Sequence, residues 1–266
     1  MKYKAEIGIL GGTGLYELIK KPVKINIKTP FGYPSAKVSL GKIAGRSVAF
    51  IPRHGEKHQF PPHKIPYLAN LWALKSLGVK RVIAPAAVGS LNLKIKPGTF
   101  VICDQFIDWT EGRLDTFYNG PKTVHIAAAD PYCPELRKLA IKSCKKLKIN
   151  CLEKGTVVVI QGPRFSTRAE SQFFAKQGFD LINMTQYPEV ILARELGMCY
   201  VNISLVTDYD AGLEGHKDFK PVSAVEFVKV FKRNIANVKK IIEQMVGLIP
   251  PKFNCRCGKY LKEASI

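Results

Sequence analysis

The chain has 266 residues, 46% of them hydrophobic, which is enough for one large buried core; no uninterrupted apolar run is long enough to cross a bilayer. Its 41 basic and 21 acidic residues give a net charge of +20, yet the lysines are dispersed along the whole chain. That dispersal speaks for a solvated surface and against a basic nucleic-acid arm, while still concentrating anionic substrates nearby.

Residues 1–6 (Met-Lys-Tyr-Lys-Ala-Glu) lead into no apolar signal region, so a cytoplasmic protein without a membrane anchor is expected. Residues 5–10 then read as a buried first strand. It ends in Gly11-Gly12-Thr13-Gly14, whose glycines let backbone N–H groups and the Thr13 hydroxyl approach an anion. A short helical stretch is expected from Leu15. No Lys follows as in a nucleoside-triphosphate loop, and no glycine stands three residues beyond Gly14 as in a dinucleotide fingerprint. The loop is therefore either a cradle for a free phosphate-like group or a bare strand-to-helix turn.

A strand at 48–52 is followed by Arg53-His54-Gly55, a cation and an imidazole beside a glycine; Arg is the side chain that grips phosphate oxygens bidentately. A helix is expected over 63–77. A strand at 81–84 then runs into Pro85-Ala86-Ala87-Val88-Gly89-Ser90, small residues that let a ligand touch backbone. Further strands are read at 100–106, 155–160, 181–183 and 199–206, with helices at 134–147, 168–177 and 188–196 between or beside them. The last helix, 223–247, has the clearest period. Phe227, Val228, Phe231, Ile235, Val238, Ile241, Ile242 and Met245 recur every three or four residues, with Lys229, Lys232, Lys239 and Lys240 opposite. Apolar strands alternating with helices predict a single α/β domain, 1–249, around a central mixed sheet flanked by helices.

Ligands of such sheets bind beyond the carboxyl ends of the strands. Those ends collect Gly11–Gly14, Arg53-His54-Gly55, Pro85–Ser90, Gln161-Gly162-Pro163-Arg164-Phe165-Ser166-Thr167, Met184-Thr185 and Thr207-Asp208-Tyr209-Asp210. After Pro250-Pro251 comes a short tail, 250–266, with Cys255-Arg256-Cys257. The seven cysteines contain no Cys-x-x-Cys pair, which argues against a four-ligand zinc site. Cys255 and Cys257 are either a small, strained disulfide ring or two free thiols in a loose tail.

Together, Gly-Gly-Thr-Gly, Arg-His-Gly, Val-Gly-Ser-Leu, Asp-Gln-Phe-Ile-Asp, Gly-Pro-Arg-Phe-Ser-Thr-Arg-Ala-Glu-Ser, Asn-Met-Thr, Pro-Glu-Val and Thr-Asp-Tyr-Asp resemble, in order, the 5′-methylthioadenosine phosphorylases. These are a branch of the trimeric purine nucleoside phosphorylases, and the resemblance spans residues 5–245. It implies a trimer or dimer of trimers, no metal, and no cofactor beyond inorganic phosphate as co-substrate. The reaction implied is phosphorolysis, in which phosphate attacks the ribosyl C1′ and adenine leaves. By the same resemblance, Thr13, Arg53, His54, the Ala87 backbone and Thr185 hold phosphate, Met184 lies along the ribose and Phe165 stacks on the purine.

Adenine leaves more easily when N7 is protonated, which calls for a carboxylic acid whose pKa is raised by removal from water. The resemblance places Asp208 there, with Asp210 in support. Where 6-oxopurine phosphorylases typically have Asn and Glu, this chain has Asp208 and Ser166, and both departures point to a 6-aminopurine. Asp208 and Asp210 share a side only if the strand stays extended. For the 5′ end of the sugar the matching positions are Ala224 and Val228, an apolar wall suited to a methylthio group. A hydroxyl buried there unpaired costs roughly 1–3 kcal/mol. Both are small, so adenosine is also expected to fit, and a broad purine nucleoside phosphorylase is the alternative reading. His125 matches a position that reaches the neighbouring subunit's 5′ pocket.

Pro85-Ala86 stands where relatives often carry hydroxyls, and Gln161 where they often carry Glu. The Cys-x-Cys tail recurs in heat-adapted archaeal relatives, some with structural disulfides. That resemblance implies bridges Cys133–Cys199 and Cys255–Cys257.

Overall fold

Strand β1 (Ile7–Gly11) is buried along its whole length because it runs through the middle of a mixed sheet. The computed structural model describes residues 3–12, 14–213 and 224–264, excluding the side chains of residues 224–229 and 231. On one side of β1 lie β4 (Arg46–Pro52, parallel), then β3 (Val38–Ile43) and the edge strand β2 (Val23–Ile25). On its other side lies β5 (Arg81–Ser90), also parallel.

Strand β5 is the fork of the sheet. One edge pairs first with β1 through Arg81–Ile83 and later, antiparallel, with β10 (Leu181–Asn183) through Gly89 and Ser90. Its other edge carries β11 (Cys199–Tyr209) from end to end. Beyond β10 the sheet continues through β9 (Thr156–Ile160) to β7 (Gln105–Trp109); beyond β11 it continues through β6 (Phe100–Val101) to β8 (Cys151–Leu152).

Helices cover both faces. On one, α1 (Tyr67–Ser76) and α4 (Gln186–Glu195) pack Leu71, Leu74, Val190 and Leu192 over β1, β4 and β5. On the other, α2 (Pro134–Lys146) and α5 (Ala224–Leu248) pack Leu136, Ala140, Val238, Ile241, Ile242 and Met245 against Ile7, Ile9, Val201 and Ile203. A third cluster seats α3 (Arg168–Lys176) through Phe174 on Val158, Ile160 and Ile182. Among the described residues, no helix is long and apolar enough to cross a membrane.

Several expected boundaries move, each for a local reason. Leu15–Lys20 forms turns instead of a helix, because six residues before Pro22 are too few to repay helix nucleation. The segment expected as one strand at 100–106 is divided between β6 and β7, which pair with different neighbours. The helix expected at 63–77 is broken by Pro66 into a 3-10 turn (Pro62–Lys64) and α1. The β3–β4 hairpin escaped the sequence reading because its two-residue turn is Ala44-Gly45, both at positive φ, where Asn-Gly is the usual signal. Ser223, the expected first residue of the last helix, lies outside the described residues.

The tail is not loose. Phe253 and Cys257 join the core cluster beneath α5, the Arg81 guanidinium lies over the Phe253 ring and donates to Pro251 O, and a short α6 (Tyr260–Glu263) follows.

Candidate active site

The carboxyl ends of β1, β4, β5, β9, β10 and β11 place the motif residues around one region. Arg53 N–H donates to Gly11 O at 2.7 Å, and the Tyr16 hydroxyl donates to Gly55 O at 3.3 Å, so the glycine loop and the Arg-His-Gly turn are laced together. Thr13 lies outside the described residues.

Arg53 is only 2% exposed and sits against Glu189, itself fully buried. Its Nε and Nη2 donate to the two Glu189 carboxylate oxygens at 2.6 and 2.8 Å, Nη1 to Pro85 O at 3.2 Å and Nη2 to Leu10 O at 2.9 Å. Burial alone would lower the guanidinium pKa, but the paired carboxylate outweighs it and raises it. Among the described residues these bonds use four of the five N–H groups of a guanidinium, leaving one. Glu189 also accepts from the Tyr200 hydroxyl at 2.8 Å. Pro85 therefore supplies a carbonyl that fixes Arg53.

Burial pushes the His54 imidazole down to about 4, helped by the charge of Arg53, against a hydrogen bond to Phe60 O that works the other way. Nδ1 lies 2.9 Å from that carbonyl, so a neutral ring carries its proton on Nδ1 and leaves Nε2 as an acceptor. Its face stacks on His58, with centroids 4.4 Å apart. Ala87 and Thr185 are joined through Asn183, whose amide donates to Ala87 O at 3.0 Å and whose oxygen accepts from Thr185 N at 2.7 Å and Gln186 N at 2.8 Å. Asn183 thus satisfies backbone donors at the start of α4, where Thr185 is buried.

The acids meet as the extended reading required, with one addition. Strand β11 continues through Tyr209, but its register on β5 slips between Val206 and Asp208, leaving Thr207 as the extra residue of a bulge. Asp208 lies so close to Gly89 that a Cβ there would come within 3.3 Å of its Oδ2 and 2.9 Å of Ile182 Cγ2. Removal from water pushes the Asp208 carboxyl up to about 7; the Thr207 hydroxyl, donating to Oδ1 at 2.6 Å, opposes this, and Asp210 adds to it. Asp210 is buried, is likewise raised by burial, and accepts from the Ser166 hydroxyl at 2.5 Å. Ser166 thereby fixes the Asp210 carboxyl in place.

Phe165, beside it, exposes 47% of its surface on the loop between β9 and α3. Gly162 in that loop has φ +63°, and a Cβ would strike Met184 Sδ at 2.7 Å, so only glycine lets the loop lie against Met184.

The profile of the phosphorylase superfamily matches residues 6–247. The chain belongs to that superfamily. It is 54% identical over 257 residues to an S-methyl-5′-thioadenosine phosphorylase of Pyrococcus furiosus, covering 97% of this chain and 98% of that one. It is 52% identical to the enzyme of the same name from Thermofilum pendens, covering 99% of each. A crystal structure of methylthioadenosine phosphorylase from an antarctic soil metagenomic library superposes with a TM-score of 0.92 at 38% identity, covering 99% of this chain and 93% of that one. An adenosine/methylthioadenosine phosphorylase variant from Schistosoma mansoni, in complex with methylthioadenosine, gives 0.90 at 33% identity, covering 98% and 99%.

The remaining expected positions are less central here. His125 is exposed, on a segment anchored by its own N–H to Ala264 O at 3.1 Å. Ala224 and Val228 fall in the first turns of α5, and their side chains lie outside the described residues.

The sequence reading missed Glu189 and Arg113. Glu189 was visible only as part of Pro-Glu-Val. Arg113 carried no signal, yet it donates to Gln161 Oε1 at 3.0 Å, Gln161 O at 2.8 Å, Met184 O at 3.0 Å and Tyr187 O at 2.6 Å. It pins the ends of β9 and β10 to the start of α4. Gln161 also brackets the Glu111 backbone, donating to its carbonyl at 2.7 Å and accepting from its N–H at 3.3 Å.

The expected disulfides are not formed: all seven cysteines are free. Cys133, Cys199, Cys255 and Cys257 nevertheless converge, and Cys199 and Cys255, which belong to different expected pairs, have their sulfurs 3.4 Å apart.

Proposed function

We propose that this chain catalyses phosphorolysis of 5′-methylthioadenosine to adenine and 5-methylthioribose 1-phosphate. The observation that carries the reading is Asp208, a carboxyl raised to about 7 and so able to hold a proton near neutrality, beside an Asp210 fixed by Ser166. Asp208 donates to purine N7 as the glycosidic bond breaks and accepts from the 6-amino group. Asp210 orients the base beside it. Phosphate, seated by Thr13, His54, the Ala87 backbone, Thr185 and the last N–H of Arg53, attacks C1′ and stabilises the oxocarbenium-like centre by its charge. Neutral His54 suits a monoprotonated phosphate, since Nε2 can accept from its P–OH. Phe165 covers the purine and Met184 packs on the ribose, and the resemblance assigns Ala224 and Val228 to the 5′ end of the sugar.

The same reading makes the protein a cytoplasmic homo-oligomer, a trimer or dimer of trimers, in which the exposed His125 completes a neighbour's 5′ pocket. Phosphate is the co-substrate, with no cofactor. The dual name of the Schistosoma mansoni relative supports adenosine as a second substrate. Comparing kcat/KM for methylthioadenosine, adenosine and inosine at fixed phosphate tests the assignment. A strong preference for methylthioadenosine supports it; equal rates on all three would make the chain a broad purine nucleoside phosphorylase.

A further inference from the structure

Away from this site, one side-chain cluster has the composition of a metal centre. Cys133 is the N-cap of α2, Cys199 opens β11, and Cys255 and Cys257 come from the tail, yet their four Sγ atoms all lie within 4.8 Å of one another. Three of the four residues are buried, and Cys255 is half-buried. A tetrahedral zinc thiolate has Zn–S bonds of about 2.3 Å, which sets its sulfur–sulfur edges at about 3.8 Å. The 3.4 Å separation of Cys199 and Cys255 and the 4.8 Å limit of the whole set straddle that edge. Four sulfurs with no oxygen or imidazole among them select a soft metal, and four protein ligands leave no open position for chemistry.

We propose that Cys133, Cys199, Cys255 and Cys257 bind one zinc ion as a closed tetrathiolate site that fastens the tail to the core. Four thiols lose four protons as four Zn–S bonds form, leaving the centre with a net charge of −2. Two features meet that charge. Cys133 stands at the positive end of α2, and the Arg194 guanidinium lies 3.9 Å from the centre of the Tyr260 ring in the tail beside Cys257. The absence of a Cys-x-x-Cys pair from the sequence is no obstacle, because two ligands come from the tail and two from separate core elements.

The consequence reaches further along the chain. Ala264 O accepts from His125 N–H, and Arg194 donates to Ala127 O and, at 2.7 Å, to Asp130 O. Fixing the tail therefore fixes the 125–130 segment as well.

The test is elemental analysis of the full-length protein, produced with ample zinc, kept under reductant and exchanged into metal-free buffer. One zinc per chain is expected. Cobalt in its place should give the strong visible bands of a tetrahedral cobalt thiolate. Cys255→Ser should lose the metal while keeping its circular dichroism. Should that variant fail to fold, titrating the native protein with a mercurial in the presence of a zinc dye gives the same answer, zinc leaving as four thiols react. Substoichiometric zinc overturns the proposal, whether the unreduced chain is found with free thiols or four hydrogens lighter with two disulfides. Iron in zinc's place overturns the choice of metal.

Discussion

Replacing Asp208 by Asn should raise stability and abolish most activity in the same protein. The folded state holds this carboxyl at about 7 against an ordinary 3.8. Below pH 3.8 the group is protonated in both folded and unfolded chains and costs nothing. As pH rises from about 4 to about 7 the unfolded chain ionises first, so folding loses stability; above 7 the loss levels off at about 4 kcal/mol as an upper value. Asn carries no charge and removes that penalty, so at pH 8 the variant should unfold at higher denaturant than the parent, and at pH 4 at nearly the same concentration. Its kcat/KM on methylthioadenosine should fall by about 10²–10⁴, the usual worth of a general acid, or about 3–5 kcal/mol of transition-state stabilisation. In the parent, kcat/KM should decline about tenfold for each pH step above 7 as the proton is lost. Urea titrations at the two pH values and a rate profile from pH 5 to 9 are sufficient. A flat profile through pH 7, or a variant within threefold of parental activity, would refute the assignment of the proton to Asp208.

Other substitutions probe the frame around that acid. Gly89→Ala places a methyl within 3.3 Å of Asp208 Oδ2 and 2.9 Å of Ile182 Cγ2, so steady-state assays should show a loss of at least about tenfold, with about 1–3 kcal/mol of destabilisation in urea. Glu189→Gln leaves the Arg53 charge buried without its counter-ion and should cost about 3–5 kcal/mol by equilibrium unfolding; parental stability would show that the pair is dispensable. Arg113→Met strands the carbonyls of Gln161, Met184 and Tyr187, each at about 1–3 kcal/mol, and should raise KM for the nucleoside more than it lowers kcat. Gln161→Glu, by contrast, offers Arg113 a carboxylate and should leave activity within about twofold, which a single kinetic comparison can check.

The fold class was legible because the strongest signals are local. Continuous apolar runs such as Val157–Ile160 read as buried strand, and the period of α5 is unbroken to Met245. The motif positions were legible for a related reason: the parallel strands β1, β4, β5 and β11 deliver the residues after them to one edge, while β9 and β10 run the other way and reach the same region because β10 pairs only with the last residues of β5. What the sequence could not show depends on partners remote along the chain. Glu189 is 136 residues from Arg53, and Arg113 serves carbonyls 48 to 74 residues away. The bulge at Thr207 depends on the register of β11 against β5, which no single strand encodes. The resemblance singled out the four cysteines as two pairs, but their convergence into one cluster was invisible for the same reason, since spacing rules read ligands that are neighbours in sequence.

The most direct test of the account follows the fate of phosphate. With methylthioadenosine and inorganic phosphate, phosphorus NMR should show a sugar 1-phosphate ester appearing in step with adenine, and no adenine should form without phosphate. Adenine released at the same rate in phosphate-free buffer, with the free sugar as co-product, would make the chain a hydrolase and contradict the account.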